Sequence, residues 1–159
     1  MRVDRGQISH GFHPFPFRGV QAEGSPPTLV PLLPVVVRRP GQPWSLPFNC
    51  VLDTGSTHTL LPRAFALELG LTPQARREEL QGSGSDFEAS PAPADISVVD
   101  ANYPAVACWT IEDFEVWVPA EGSSLAHPVV GWDILEHFRM SIDPRLRRFD
   151  LLLIGGRGA

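Results

Sequence analysis

The sequence predicts a single all-β domain, and three observations lead to that prediction. The chain has 159 residues, a length that suits one domain with its own buried core. Its 17 Pro and 14 Gly residues are spread along the chain and leave little room for long helices. The apolar segments between them are short, rich in branched side chains and bounded by Pro, Gly or charged residues, as strands are.

The same boundary residues predict where the individual elements begin and end. A short helix is predicted over residues 62–69, because Pro62 suits a helix start and Gly70 a helix end. A second short helix is predicted over residues 132–138. The stretch 82–94 is small and polar, and we expect an exposed, mobile connection there. The predicted strands cover residues 29–37, 46–52, 105–111, 114–118 and 149–154.

The predicted domain covers residues 29–154. Residues 1–28 are rich in Pro and aromatic residues but lack periodicity, so they are expected to form an N-terminal arm, either docked or disordered. Residues 155–159 form a short C-terminal tail. We find no internal repeat, and this matters for the function inferred below.

Charge and composition exclude several classes of protein. A formal net charge of -5 argues against nucleic-acid binding through a general basic field. The chain has no apolar run near the roughly 20 residues of a membrane helix, and residues 1–17 lack the apolar core of a signal peptide. We therefore expect a cytoplasmic protein. Cys50 and Cys108 are expected to be buried free thiols, and the histidines lack metal-ligand spacing, so no metal or other cofactor is expected.

The sharpest feature is the segment VLDTGS at residues 51–56, in which Asp53 stands between an apolar strand and a glycine. A carboxylate is costly to bury there unless it is hydrogen-bonded or functional. Gly55 permits a backbone turn that other residues resist and lets another group approach closely. Because Asp, Thr, Gly and Ser are also ordinary turn residues, the segment taken alone fits a plain strand-end turn as well.

Together with a second segment, this motif resembles the catalytic loop of retropepsin-like aspartic proteases, the single-domain retroviral type. In that family two apolar residues precede Asp, Thr or Ser, Gly, and Ala or Ser, and a short strand follows, here HTLL at residues 58–61. The second signature is two apolar residues, Gly and a short helix, which VVGWDIL at residues 129–135 matches. The resemblance covers residues 29–154. It implies a closed acid-protease barrel with one short C-terminal helix, active as a two-fold homodimer.

The resemblance also implies roles for individual residues. Asp53 and its symmetry mate would form the catalytic pair, Thr54 would brace the two loops across the axis, and the Gly55 amide would hold the carboxylate. The family's flap, a Gly-rich hairpin that closes over substrate, would lie at residues 80–85. The residues expected to contact substrate are Val51, Ser56, Leu60, Gly82, Gly84, Ala126, His127 and Val129.

The sequence departs from the retroviral pattern in two places. Residues 90–104 lengthen the stretch between the flap and the second signature, and we interpret them as an insertion. Retroviral members carry Arg after the signature Gly, paired with an Asp two residues beyond the catalytic Gly; Trp132 and Thr57 stand there instead. Since both partners are absent together, the dimer contact must be made differently. The remaining carboxylates near the C-terminus are expected to be surface or capping residues: Asp133, Asp143 and Asp150.

The family's chemistry needs two carboxyl groups that share a proton, because like charges so close cannot both ionise. The ionised member takes a proton from water, and the protonated member polarises the scissile carbonyl. The chain offers one such loop and no repeat, so two copies must meet across a two-fold axis. The resemblance therefore implies a homodimeric aspartic endopeptidase that acts on polypeptides.

Two other interpretations stay open. The same barrel could be a catalytically silent peptide-binding or scaffold module, although a pure binder has no need of an acidic residue at position 53. Alternatively, the chain is a different all-β domain in which residues 53–56 are only a turn, which the second signature disfavours.

Overall fold

The computed structural model describes residues 2–5, 13–20, 28–81, 86–100, 102, 107–123 and 125–154. The described residues are mostly strand with two short helices, which confirms the predicted all-β class. In chain order the elements are β1 (Arg2–Arg5), β2 (His13–Val20), β3 (Thr28–Arg38), β4 (Phe48–Leu52), α1 (Arg63–Glu68), β5 (Glu78–Leu80), β6 (Phe87–Val99), β7 (Ala107–Pro119), β8 (Val129–Val130), α2 (Trp132–Leu135), β9 (Phe138–Asp143) and β10 (Arg148–Leu153).

The strands join in one sheet whose main path in the described residues is β1-β7-β6-β3-β2-β10-β9. Off this path, β5 pairs with β6, and β4 pairs with β3 on one side and, in parallel, with β8 on the other. Isolated bridges join Leu60 to Trp117 in β7 and to Val129 in β8. The pairing thus runs from β3 through β4, β8, Leu60, β7 and β6 back to β3. This circuit sets β4, which contains the first two residues of the first motif, beside β8, which begins the second.

Several predicted elements are confirmed. Strands β3, β4 and β10 fall on three of the predicted segments, and α1 begins after Pro62 and is followed by Gly70 at φ +71°. The two strands predicted over residues 105–118 form the single strand β7, in which Asp113 has φ 53°. Helix α2 is shorter than predicted, because β9 already begins at Phe138. The strand expected over residues 58–61 is reduced to the bridges of Leu60.

The largest difference is β6, a 13-residue strand within the stretch predicted to be an exposed connection and an insertion. Its residues Ala89 and Ala92 are buried, and their small side chains do not form a recognisable apolar run. The carbonyl of Pro91 accepts the N–H of Gln74 at 2.8 Å, on the side of β6 away from β7. Because the N and C=O of one residue face the same side in an antiparallel ladder, Pro91 removes no bond to β7.

Part of the predicted N-terminal arm also belongs to the sheet. Strand β2 lies between β3 and β10, and Phe15 is fully buried with its ring stacked on Phe149 at 5.2 Å between centroids. Strand β3 begins at residue 28, so the expected boundary between arm and domain falls inside a strand. The predicted tail, residues 155–159, lies outside the described residues.

The buried cysteines agree with the sequence analysis. Cys50 and Cys108 are free and buried, and Trp109 and Trp117 are packed in the interior. Burial, with a smaller contribution from the charge of Asp100, raises the pKa of Cys108 to about 12. Such thiols stay protonated at neutral pH and are poor nucleophiles. Among the helices of the described ranges, none has the length and apolar character to cross a membrane.

Candidate active site

The first motif forms a tight turn at the end of β4. The backbone N–H of Asp53 donates to the carbonyl of Val130 at 3.1 Å, which ties the start of the loop to β8. The N–H of Ser56 then donates to the carbonyl of Asp53 at 3.2 Å and closes the turn. The Ser56 hydroxyl donates to the His58 carbonyl at 2.7 Å. Residues 53–55 are exposed in the single chain.

Gly55 contacts the Asp53 carboxylate through its backbone. Its N–H donates to Asp53 Oδ1 at 2.8 Å. A Cβ atom at position 55 would lie 3.1 Å from the same oxygen, which is closer than side-chain carbons ordinarily come. Glycine therefore lets the carboxylate fold back onto the loop and accept the hydrogen bond of its amide.

The start of α2 holds the other side of this loop. The backbone N–H of Trp132 donates to the Ser56 carbonyl at 2.9 Å, and that of Asp133 to the Thr57 carbonyl at 3.2 Å. The Trp132 indole N–H donates to the Thr54 carbonyl at 2.6 Å. Trp132, at the position of the Arg in retroviral members, thus binds the loop carbonyls of Thr54 and Ser56, and the carbonyl of Thr57 accepts the N–H of Asp133.

Asp133 is half-buried and binds Thr59, so the expectation that it is a surface or capping residue was incomplete. The Thr59 N–H and hydroxyl donate to its two carboxylate oxygens at 2.7 Å each, and Thr59 is fully buried. Burial raises the pKa of Asp133, and the Thr59 hydrogen bonds together with the nearby His58 oppose that rise. By contrast, Asp143 does cap a turn, accepting the N–H of Arg145 at 2.9 Å.

Gly131 lies directly against the loop. A Cβ atom built on it would overlap the backbone of His58, so a larger residue would push the two motifs apart. Its own N–H donates to the Thr59 hydroxyl at 3.2 Å. The glycine of the second motif is therefore required by the close approach of two backbones, and no positive φ is involved.

A cleft of about 980 Å³ opens over Asp53. Thr54 is not among its lining residues, and Gly82 and Gly84 lie outside the described residues. The hairpin of β5 and β6, which contains the expected flap, borders the cleft through residues 80–81 and 86–88. The predicted site residues that do line the cleft are Val51, Asp53, Gly55, Ser56, Leu60, Ala126, His127 and Val129.

Sequence reasoning missed several other wall residues. His58 lines the cleft with its ring 4.7 Å from that of Trp117, and Phe87 and Glu121 approach from β6 and the segment after β7. The pairing of β6 with β7 brings Phe87 and Glu121 together, and no local sequence motif predicts that pairing. Within the described ranges, no three His, Cys, Asp or Glu side chains are grouped as metal ligands would be.

The family comparison agrees with this geometry. A family model described as aspartyl protease matches residues 40–134, more than half of the chain. The matched range begins before β4, contains the whole loop at residues 53–59 and ends within α2. It therefore includes the first motif, all but the last residue of the second, and the hydrogen bonds between them. No curated protein shows a significant sequence match to the chain.

Proposed function

The chain belongs to the aspartyl protease family of the retropepsin-like clan, and we propose that it is an endopeptidase with Asp53 as its catalytic carboxylate. The observation that carries this proposal is the position of that carboxylate: it is exposed, bound by the Gly55 N–H at 2.8 Å, and lines the cleft. A cleft of about 980 Å³ has room for several side chains of an extended peptide.

The proposed mechanism uses two copies of the chain. The two Asp53 carboxyl groups meet on a two-fold axis and share one proton. The ionised member takes a proton from a water molecule, whose oxygen attacks the scissile carbonyl carbon. The protonated member polarises that carbonyl, and the departing amine receives a proton as the C–N bond breaks.

The homodimer is supported by the loop itself. One chain supplies one such carboxylate, and residues 53–55 are exposed, which leaves them available to a partner. In the dimer Thr54 braces the two loops across the axis. The circuit of strand pairing from β3 through β4, β8, Leu60, β7 and β6 supports the closed barrel that would carry the loop.

Substrate contacts follow from the cleft. Val51, Leu60 and Val129 give one wall an apolar surface beside Asp53, which suits apolar or aromatic side chains next to the cleaved bond. Ser56, Ala126 and His127 complete the proposed contacts on the loop side. The connection between β5 and β6 includes Gly82 and Gly84, and we assign it as the flap that closes over the peptide.

The test is hydrolysis of a denatured protein from acidic to neutral pH. We expect the wild type to cleave it and Asp53→Asn to lose this activity entirely. Glu68→Gln serves as a matched control, because Glu68 is an exposed carboxylate on α1 outside the cleft. A wild type that binds unfolded peptides without cleaving them would instead establish the silent peptide-binding module.

A further inference from the structure

We propose that Trp132 is a positioning residue for Asp53 and acts through the peptide unit between Thr54 and Gly55. This inference rests on the proposed function of Asp53. The indole N–H donates to the carbonyl of Thr54 at 2.6 Å. The N–H at the other end of the same peptide unit, that of Gly55, donates to Asp53 Oδ1 at 2.8 Å. One peptide unit therefore links the indole to the carboxylate.

Through this peptide unit the indole affects both the orientation of the Gly55 N–H and its strength as a hydrogen-bond donor. Because it is planar, fixing its C=O also fixes the direction of its N–H. A hydrogen bond to the carbonyl polarises the amide and makes its N–H a stronger donor. The indole thus orients the N–H toward Asp53 and strengthens the bond that the carboxylate accepts.

The backbone hydrogen bonds from α2 reach the loop further along the chain from the carboxylate. Backbone N–H groups of residues 132 and 133 bind the carbonyls of Ser56 and Thr57, beyond the turn. The Trp132 indole, by contrast, binds the carbonyl of Thr54, the residue next to Asp53. Since the side chain at 55 is a hydrogen atom and residues 53–55 are exposed, core packing does not fix this peptide unit.

The exposure of Trp132 also favours a positioning role. Trp132 is 47% exposed, whereas Trp109 and Trp117 are 6% and 5% exposed in the interior. A tryptophan that served only to fill the core would be buried like these two. Its position is instead explained by the hydrogen bond from its polar end to the loop.

The test removes the indole N–H donor and follows both catalysis and the Gly55 amide. We expect Trp132→Phe to lower kcat by about 5- to 10-fold, as expected for loss of one such hydrogen bond, with KM changed less than twofold. In ¹⁵N-resolved NMR spectra we expect the Gly55 N–H signal to move upfield, because the N–H becomes a weaker donor. If the variant fails to fold, benzothienylalanine at position 132 replaces the N–H by sulfur and keeps the bicyclic shape.

Trp44→Phe is the matched control. Trp44 lies between β3 and β4 with the Arg38 guanidinium 4.3 Å from its ring, so its replacement should change neither kcat nor the Gly55 signal. Unchanged kcat and an unmoved Gly55 signal in Trp132→Phe would overturn the proposal, as would a raised KM with kcat intact. If the wild type cleaves nothing, the proposed function fails, and the Gly55 signal alone still decides whether the indole acts on this peptide unit.

Discussion

Thr59 donates two hydrogen bonds to Asp133, one from its N–H and one from its hydroxyl, each 2.7 Å long. The same hydroxyl accepts the N–H of Gly131 at 3.2 Å. The loop after β4 and the start of α2 are therefore joined through polar atoms in a largely buried setting. Buried hydrogen bonds of this kind are costly to leave half-made, so this junction should be sensitive to small changes.

Removing the Thr59 hydroxyl should destabilise the fold. In Thr59→Val the shape is nearly kept, but Asp133 loses one donor and the Gly131 N–H loses its acceptor. We expect the free energy of unfolding to fall by about 2 kcal/mol in urea denaturation. Thr57→Val is the matched control in the same loop, since its side chain is exposed, and it should change stability by less than about 0.5 kcal/mol. Equal effects of the two variants would contradict this assignment.

The charge of Asp133 should give stability a recognisable pH dependence. Burial raises its pKa above the ordinary value of 3.8, so the folded state binds the proton more tightly than the unfolded chain does. Asp133 therefore makes its full contribution to the free energy of unfolding below pH 3.8. This contribution is lost as pH rises through the raised pKa of the folded state. Asp133→Asn removes that contribution, because an amide does not titrate.

The measurement is urea denaturation of both proteins at a series of pH values from acidic to neutral. Other carboxylates act in both proteins, so the difference between the two curves isolates Asp133. We expect the stability of the wild type relative to Asp133→Asn to decline as pH rises. A difference that is constant, or that grows with pH, would show that burial does not dominate at this carboxylate.

Gly131 should not tolerate a methyl group. In Gly131→Ala the new Cβ would overlap the His58 backbone, and the loop or α2 must move to relieve the contact. We expect a loss of about 3 kcal/mol in stability, measured by thermal unfolding, together with loss of peptidase activity. Gly70→Ala is the comparison: Gly70 has φ +71° with no atom within 4 Å of a built Cβ, so only the left-handed backbone costs about 1 kcal/mol. Similar losses for the two variants would mean that the loop and α2 can separate freely.

Activity should exist only in the dimer. Each chain supplies one Asp53, so specific activity should fall on dilution below the dimer dissociation constant. Excess Asp53→Asn chains should suppress activity under exchange conditions, since each mixed dimer has a single usable carboxyl group. Wild-type chains mixed with excess Glu68→Gln should keep full activity. Sedimentation run beside the kinetics checks the result, and a fully active monomer would refute the two-chain mechanism.

The cleft should select apolar or aromatic side chains beside the cleaved bond, because Val51, Leu60 and Val129 line it next to Asp53. A peptide library digested by the wild type reports this preference directly. Leu60→Ala should let larger substrate side chains bind and should reduce the preference for apolar side chains about 10-fold. That is the usual effect of a few methylene groups in a pocket. A profile with charged residues on both sides of the cut would show that peptides bind elsewhere in the cleft.

Residues that mark the ends of helices and strands were enough to predict some of this architecture. Pro62 and Gly70 bound α1, and the apolar runs that became β3 and β4 are flanked by polar or turn residues. The loop at residues 53–56 was also visible, because a carboxylate after an apolar strand is unusual. These features depend on residues adjacent in sequence, and such short-range signals are the ones a single sequence carries most clearly.

The features that escaped prediction depend on distant partners. Strand β6 contains prolines and alanines and is stable as a strand because β7 pairs along most of its length. Strand β2 is fixed by β3 and β10 on its two sides. The hydrogen bonds of Trp132 and Asp133 to the loop appear only once α2 lies against it, since their partners are 78 and 74 positions away in the sequence.

The contact between Trp132 and Thr54 spans 78 positions of the chain. During synthesis the loop at residues 53–56 leaves the ribosome long before the residues that hold it. An emerging chain therefore carries the carboxylate without its support until residues 131–133 are also free. The order of synthesis therefore makes the organised form of this loop a late product of folding.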